Sequence, residues 1–157
     1  MITETQNIIK LLKPGQRIMG IDLGEKTIGL SVSDPAFRVA SPIKTIRRKK
    51  FKTDIIEIKN VIHDYNIGAI ILGFPLNMDG SKSKRCQSTK QFALNLSYNG
   101  IDIPMAFFDE RLSTVAVEKI LIKEADMSRE KRSKSVDKMA SSFILQGALE
   151  YLQNIEH

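Results

Sequence analysis

Apolar and polar positions alternate twice near the start of the chain. Arg17 to Leu23 reads as a strand, Gly24-Glu25-Lys26 as a turn, and Thr27 to Ser33 as the hairpin partner. Asp34-Pro35 ends the second run, and Val39 to Ile46 gives a third. Together these predict an antiparallel meander. The period then changes. Ile55, Ile58, Ile62 and Tyr65 recur at spacings of three and four, which predicts an amphipathic helix, with Thr53 as its N-cap. Ala69 to Leu72 is a short, wholly apolar strand closed by Gly73. Lys84 to Leu96 reads as a helix, Pro104 to Phe108 as another buried strand, and Ser113 caps a helix to about Glu124. Val136, Ala140, Phe143, Gly147 and Tyr151 stripe a last helix. Strand, helix, strand, helix, strand with such connections predicts a parallel section with right-handed crossovers. The expected class is therefore α/β: three antiparallel strands first, then parallel strands and helices. Residues 1–16, with a helical stretch from Glu4 to Lys13 closed by Pro14-Gly15, form an N-terminal lead-in and the only candidate linker. Residues 17–157 form one domain.

Composition narrows the function classes. The chain has 157 residues, of which 42% are hydrophobic and 27% charged, which suits one globular domain. No apolar run approaches the roughly 18 residues of a membrane helix, so no membrane association is expected. The N-terminus has no basic region followed by an apolar stretch, so no signal peptide is expected. Cys86 is the only cysteine, which excludes an intrachain disulfide and fits a cytoplasmic location. With His63 and His157 as the only histidines, a zinc site of the usual type is not expected either. There is no Walker loop and no nucleophile elbow. What remains is carboxylates, which suit hard cations such as Mg²⁺ or Mn²⁺.

Four segments could carry that chemistry. Asp22-Leu23-Gly24 ends the first strand, with Gly29 following, and a carboxylate at a strand end lies where ligands bind in α/β folds; an ordinary turn is the alternative. Asp109-Glu110-Arg111 follows the last strand, where two adjacent acids need a cation or water, or Arg111 neutralises one of them. Asp137 falls at the expected start of the last helix, where it could satisfy first-turn amides; it also flanks the apolar stripe, and an inward carboxylate needs a partner. Gly73 to Ser81 joins a strand to a helix, the usual place of a substrate loop.

Charge adds a polyanion partner. The net charge is +6 and the isoelectric point about 9.5. Six of the nine residues from Lys44 to Lys52 are cationic. Lys82, Lys84 and Arg85 follow the Asp79-Gly80 turn, and Arg129, Lys131, Arg132, Lys134 and Lys138 surround Asp137. Arg47, Arg48, Lys49, Lys50, Lys82, Lys84 and Arg85 are the candidates for contact with a phosphate backbone.

Taken together, these segments resemble the YqgF/RuvX family of the RNase H-like superfamily, whose members are described as Holliday junction resolvase-like and as pre-16S ribosomal RNA nucleases. The matching stretches are Gly20 to Gly29, Gly73 to Ser81, Asp109 to Thr114, and Val136 to Ala140 followed by Ile144-Leu145-Gln146, in the family's order. The resemblance implies an RNase H-like fold with a mixed five-stranded sheet flanked by helices. It implies an acidic site of Asp22, Glu110 and Asp137, with Asp109 as an auxiliary ligand, holding Mg²⁺ or Mn²⁺. It also implies an endonuclease that hydrolyses phosphodiester bonds, processing the 5′ end of pre-16S rRNA, with the ribosomal particle as a further partner. The alternatives are a resolvase acting on branched DNA and a non-catalytic nucleic-acid-binding module. Lys82-Ser83-Lys84 stands where the family often has a small or acidic residue, Ser141 where it usually has Ala, and the lead-in is longer than usual. A sugar-kinase or actin-type ATPase also carries Asp-x-Gly after a first strand, but needs two such subdomains.

Overall fold

The computed structural model describes residues 1–77, 79–112 and 129–155, without the side chains at 110 and 129–138. Strand β1 (Arg17–Leu23) pairs antiparallel with β2 (Thr27–Ser33), which sets Asp22 opposite Gly29 and Ile21 opposite Leu30. Strand β3 (Ala40–Arg47) continues the meander on β2. Helix α1 (Phe51–Asp64) leads into β4 (Ile67–Phe74), which lies parallel to β1. Helix α2 (Lys84–Tyr98) leads into β5 (Met105–Asp109), parallel to β4. The order across the sheet is β3-β2-β1-β4-β5, the mixed sheet expected from the sequence. The last helix, α3, runs from Arg129 to Ile155.

Side-chain alternation sorts these strands into two cores. Met19, Ile21 and Leu23 join Leu30, Ile70 and Leu72 under α1 and α2, through Ile55, Ile58, Phe92 and Leu96. Ile18, Ala69, Ile71, Ala106 and Phe108 face the other way and pack on Ile144, Leu145, Ala148 and Leu149 of α3. Strand β4 is buried along its whole length, which is why it reads as an unbroken apolar run. By the same alternation Asp22 falls on the α3 face, in line with Ile18 and Gly20.

That face is built from small residues where α3 crosses it. A Cβ added to Gly20 would overlap Ser31 Oγ, stand 2.9 Å from Leu145 Cβ and lie 3.1 Å from the Ser141 carbonyl oxygen. Ser31 Oγ donates to that same carbonyl at 2.9 Å. The helix therefore rests almost directly on the backbone of β1 and β2.

Several boundaries differ from expectation. Thr53 does not cap α1: the N-cap is Lys50, and the Thr53 amide already bonds to the Lys50 carbonyl at 3.0 Å. Asp54, buried inside the first turn, instead accepts from the Lys49 amide at 3.2 Å and fixes the entry. Strand β4 continues through Gly73 to Phe74 because both still pair with β5. Helix α3 begins at Arg129, so Asp137 stands two turns inside it and not in its first turn. The helix expected from Ser113 to Glu124 lies outside the described residues. The lead-in folds as two 3-10 turns, Thr5–Asn7 and Ile9–Leu11, not one helix. Ile8 is fully buried in the α3-side core, and Ile2 bridges to Met105, so this segment covers the open edge of β5. Among the described residues, no helix is long and apolar enough to cross a membrane.

Candidate active site

Strands β1, β3, β4 and β5 all run in one direction, so their C-terminal ends share one edge of the sheet. Four of the segments singled out in the sequence meet there. Asp22 lies near the end of β1. Arg47 ends β3 and leads the basic run into α1. The Gly73–Ser81 loop leaves β4, and Asp109 ends β5, followed by the 3-10 turn Glu110–Leu112. Helix α3 packs against β1, β2, β3, β4 and that 3-10 turn. Its chain direction brings Asp137 to the same edge: Gln146 bonds to Ala40 and Arg38 at the far end of the sheet, Ser141 sits over Gly20 and Gly29, and Asp137 is one turn further on. The side chains of Glu110 and Asp137 lie outside the described residues.

Asp22 is partly buried. A Cβ placed on Gly29 would be 3.7 Å from Cβ of Asp22, 3.5 Å from Oγ of Ser141 and 3.4 Å from its Cβ. Ser141 is fully buried, and its hydroxyl has no hydrogen-bond partner among the described residues. A buried hydroxyl without a partner among the described residues, close to Asp22, suits a site that holds a cation. Neither histidine nor cysteine competes there among the described residues: His63 is exposed on α1, which packs against the other face, and Cys86 is buried in the first turn of α2, which leaves oxygen donors of the kind that suit hard cations. Among the described residues no three acidic, histidine or cysteine side chains gather around one point.

Asp109 is engaged differently. Both its oxygens accept from the Arg111 guanidinium, at 2.8–3.1 Å, and the Arg111 amide donates to it at 3.0 Å. The hydrogen bonds from Arg111 hold its carboxyl below the usual range, against the opposing effect of burial. Phe108 packs on the α3 side and Phe107 against the α1–α2 core, so alternation turns Asp109 away from Asp22. Arg111 also ties the β4 loop to β5. A Cβ on Gly80 would lie 3.3 Å from its Nη1, and the φ of +89° there requires glycine. Asp79 accepts from the Ser81 hydroxyl at 2.6 Å and the Ser81 amide at 2.9 Å, which lowers its pKa, with a smaller contribution from Arg111.

All seven expected phosphate-contacting residues are exposed. Two also hold the turn after Asp22: Arg85 Nη2 donates to the Leu23 carbonyl at 3.0 Å, and Arg48 Nη1 to the Gly24 carbonyl at 2.6 Å. Each guanidinium keeps further N–H groups for a ligand. The sequence reading missed Lys90. It lies 5.7 Å over the Phe74 ring, and Lys82 beside it pushes its pKa down. Two crowded ammonium groups favour an anion between them. Lys90 was hidden because it stands two turns into α2, away from the cationic run. Ser141 was visible only as a departure from a family pattern.

A family model described as RuvX, Holliday junction resolvase, matches residues 16–151. A protein of Ruegeria pomeroyi named "Putative pre-16S rRNA nuclease" is 49% identical, covering 99% of this chain and 100% of the relative. One of the same name from Roseobacter denitrificans is 44% identical over 99% of this chain and 95% of its own. Among solved structures, Thermus thermophilus RuvC in complex with a Holliday junction substrate aligns with a TM-score of 0.51 at 11% identity, over 90% of this chain and 96% of that one. The yeast mitochondrial Holliday junction resolvase aligns with a TM-score of 0.51 at 12% identity, over 98% and 86%. At such identities the likeness is one of fold, and it is the RNase H-like fold expected from the sequence.

Proposed function

From the premise that this chain belongs to the RuvX family, we propose that it is a metal-dependent endonuclease that processes the 5′ end of pre-16S rRNA. The observation that carries the reading is the sheet edge itself: Asp22, the Glu110 turn and the Asp137 level of α3 meet where the exposed cations of the β3–α1 and β4–α2 connections converge. Nuclease chemistry follows from the family, and the choice of RNA follows from the names of the relatives.

Asp22, Glu110 and Asp137 would hold Mg²⁺ or Mn²⁺. Bound there, the cations would activate water and stabilise charge on the attacking and leaving oxygens. The chain's own residues do the rest. Asp22 is fixed by its strand pairing with Gly29 and by the turn that Arg48 and Arg85 brace. Asp109 serves as the anchor of Arg111, and Arg111 holds the Asp79–Ser81 turn beside the edge. Arg47, Lys49, Lys50, Lys82, Lys84 and Lys90 attract the phosphate backbone without reading bases. Selectivity for one RNA site then falls to the ribosomal particle, in the cytoplasm. The test is a panel at matched ionic strength with Mn²⁺: single-stranded RNA carrying the pre-16S 5′ region, duplex DNA and a four-way DNA junction, with Asp137→Asn as the control. Cleavage of the RNA, lost in Asp137→Asn, is expected. Paired symmetric nicking of the junction with the RNA left intact would establish resolvase activity instead.

A further inference from the structure

The turn that carries Glu110 is closed by its two neighbours. The Asp109 carboxylate accepts from the Arg111 amide at 3.0 Å, and the ring closed by that bond spans both backbone torsions of Glu110. An aspartate that bonds to the amide two residues on fixes the turn between them. Here the side chains close the same turn a second time: Arg111 Nε donates to the two Asp109 oxygens at 3.0 and 3.1 Å, and Nη2 donates to one of them at 2.8 Å. The guanidinium has a second wall in the β4 loop, where a Cβ on Gly80 would stand 3.3 Å from Nη1 and 3.9 Å from Cζ. Asp109 is anchored in turn by its pairing with Phe74 at the end of β4. Both its oxygens are thus committed to a cationic fork, on the side of the sheet turned away from Asp22.

We propose that Asp109 and Arg111 are positioning residues for Glu110, and that Asp109 is not itself a ligand of the cation. The clasp locks the backbone of Glu110 and so fixes the Cα–Cβ direction from which its side chain starts. The inference rests on Glu110 as a ligand of the proposed cation site. Outer contacts that orient a ligand typically change metal affinity about 10–100-fold. The charge of Arg111 makes the sign of the effect diagnostic. A guanidinium near a divalent cation repels it, so on charge alone its removal tightens binding. Removal also tightens binding if Asp109 is a ligand that Arg111 occupies, because the carboxylate is released. A positioning role has the opposite sign: loss of a positive charge weakens the binding of a positive ion.

The experiment is calorimetric titration of the full chain with Mn²⁺ alone at pH 7, at a temperature where melting of the metal-free proteins shows every variant folded. Arg111→Ala should bind Mn²⁺ about 10-fold more weakly than the parent. Arg111→Lys keeps the charge but not the planar fork, and should recover little of that loss. The double variant Asp109→Asn with Arg111→Ala should lose no more than the larger of the two single losses, because both changes open the same clasp. Equal or tighter binding by Arg111→Ala would overturn the inference, and so would full recovery by Arg111→Lys or losses that add. Glu110→Gln separates the two levels. If it weakens Mn²⁺ binding while Arg111→Ala binds as the parent does, only the clasp falls. If Glu110→Gln binds Mn²⁺ normally, Glu110 leaves the cation site and this inference falls with it.

Discussion

Replacing Gly20 with Ala tests whether the resting distance of α3 on the sheet positions the acids. The new methyl group would overlap Ser31 Oγ and stand 2.9 Å from Leu145 Cβ and 3.1 Å from the Ser141 carbonyl. Two of these neighbours belong to α3, and Leu145 Cβ is bonded directly to its backbone. The strain can be relieved only by lifting the helix. Overpacking of this kind costs about 1–3 kcal/mol, which is roughly a 2–12 °C fall in melting temperature for a chain of this size. Ser31→Ala alone should cost about 1 kcal/mol through the lost bond to the Ser141 carbonyl. In the double variant the Ser31 overlap disappears, so the combined loss should be smaller than the two single losses added. Urea unfolding gives the stabilities, and Mn²⁺ titration gives the functional consequence. A helix lifted at Ser141 also moves Asp137, so Gly20→Ala should weaken Mn²⁺ binding even when most of the protein is folded. Unchanged stability in Gly20→Ala, or strict additivity with Ser31→Ala, would refute the close approach.

Other perturbations separate the remaining parts. Arg111→Ala should lower the stability only slightly at pH 7, because the Arg111 side chain is 40% exposed and the pair is screened by solvent. Asp109 is held below its ordinary value, so its contribution is present above the unfolded pKa near about 4 and disappears as the pH falls through the folded pKa. Melting curves of parent and variant should therefore converge in acid and differ at neutrality; a constant difference would contradict the pairing. Arg85→Ala should lower turnover at saturating RNA, because the Leu23 carbonyl loses its donor beside Asp22; an effect on KM alone would reduce Arg85 to a phosphate contact. Changing Arg47, Lys49 and Lys50 together to Ser should weaken RNA binding and reduce the salt slope by about 2 units if all three meet phosphates, with turnover at saturation intact. An unchanged slope would mark that run as a solvated loop.

The first two strands were legible because most of their residues are buried. Arg17–Leu23 and Thr27–Ser33 have the bounds that alternation gave them. Helix α3 was legible only from Val136 onward, because its first turns, Arg129 to Ser135, carry charge and no apolar stripe. That error placed Asp137 in a first turn and lent it a capping role it does not have. Thr53 failed as a cap because the buried Asp54 fixes the helix entry from inside. The pairing of Arg111 with Asp109 was readable as one alternative, since the two are neighbours in sequence. The bracing of the Asp22 turn by Arg48 and Arg85 was not, because it depends on β3 and α2 converging on one edge. The approach of Ser141 to Gly29 and Asp22 brings three elements together, and no local pattern announces it.

The account rests on Asp22 as a cation ligand in a nuclease. The most direct measurement is the rate of cleavage of the pre-16S 5′ RNA as Mn²⁺ is titrated, in the parent and in Asp22→Asn. The expected result is saturable, metal-dependent cleavage that falls by more than about 100-fold in Asp22→Asn, beyond what loss of an outer hydrogen bond causes. Cleavage that needs no metal, or that proceeds at the parental rate in Asp22→Asn, would contradict the account.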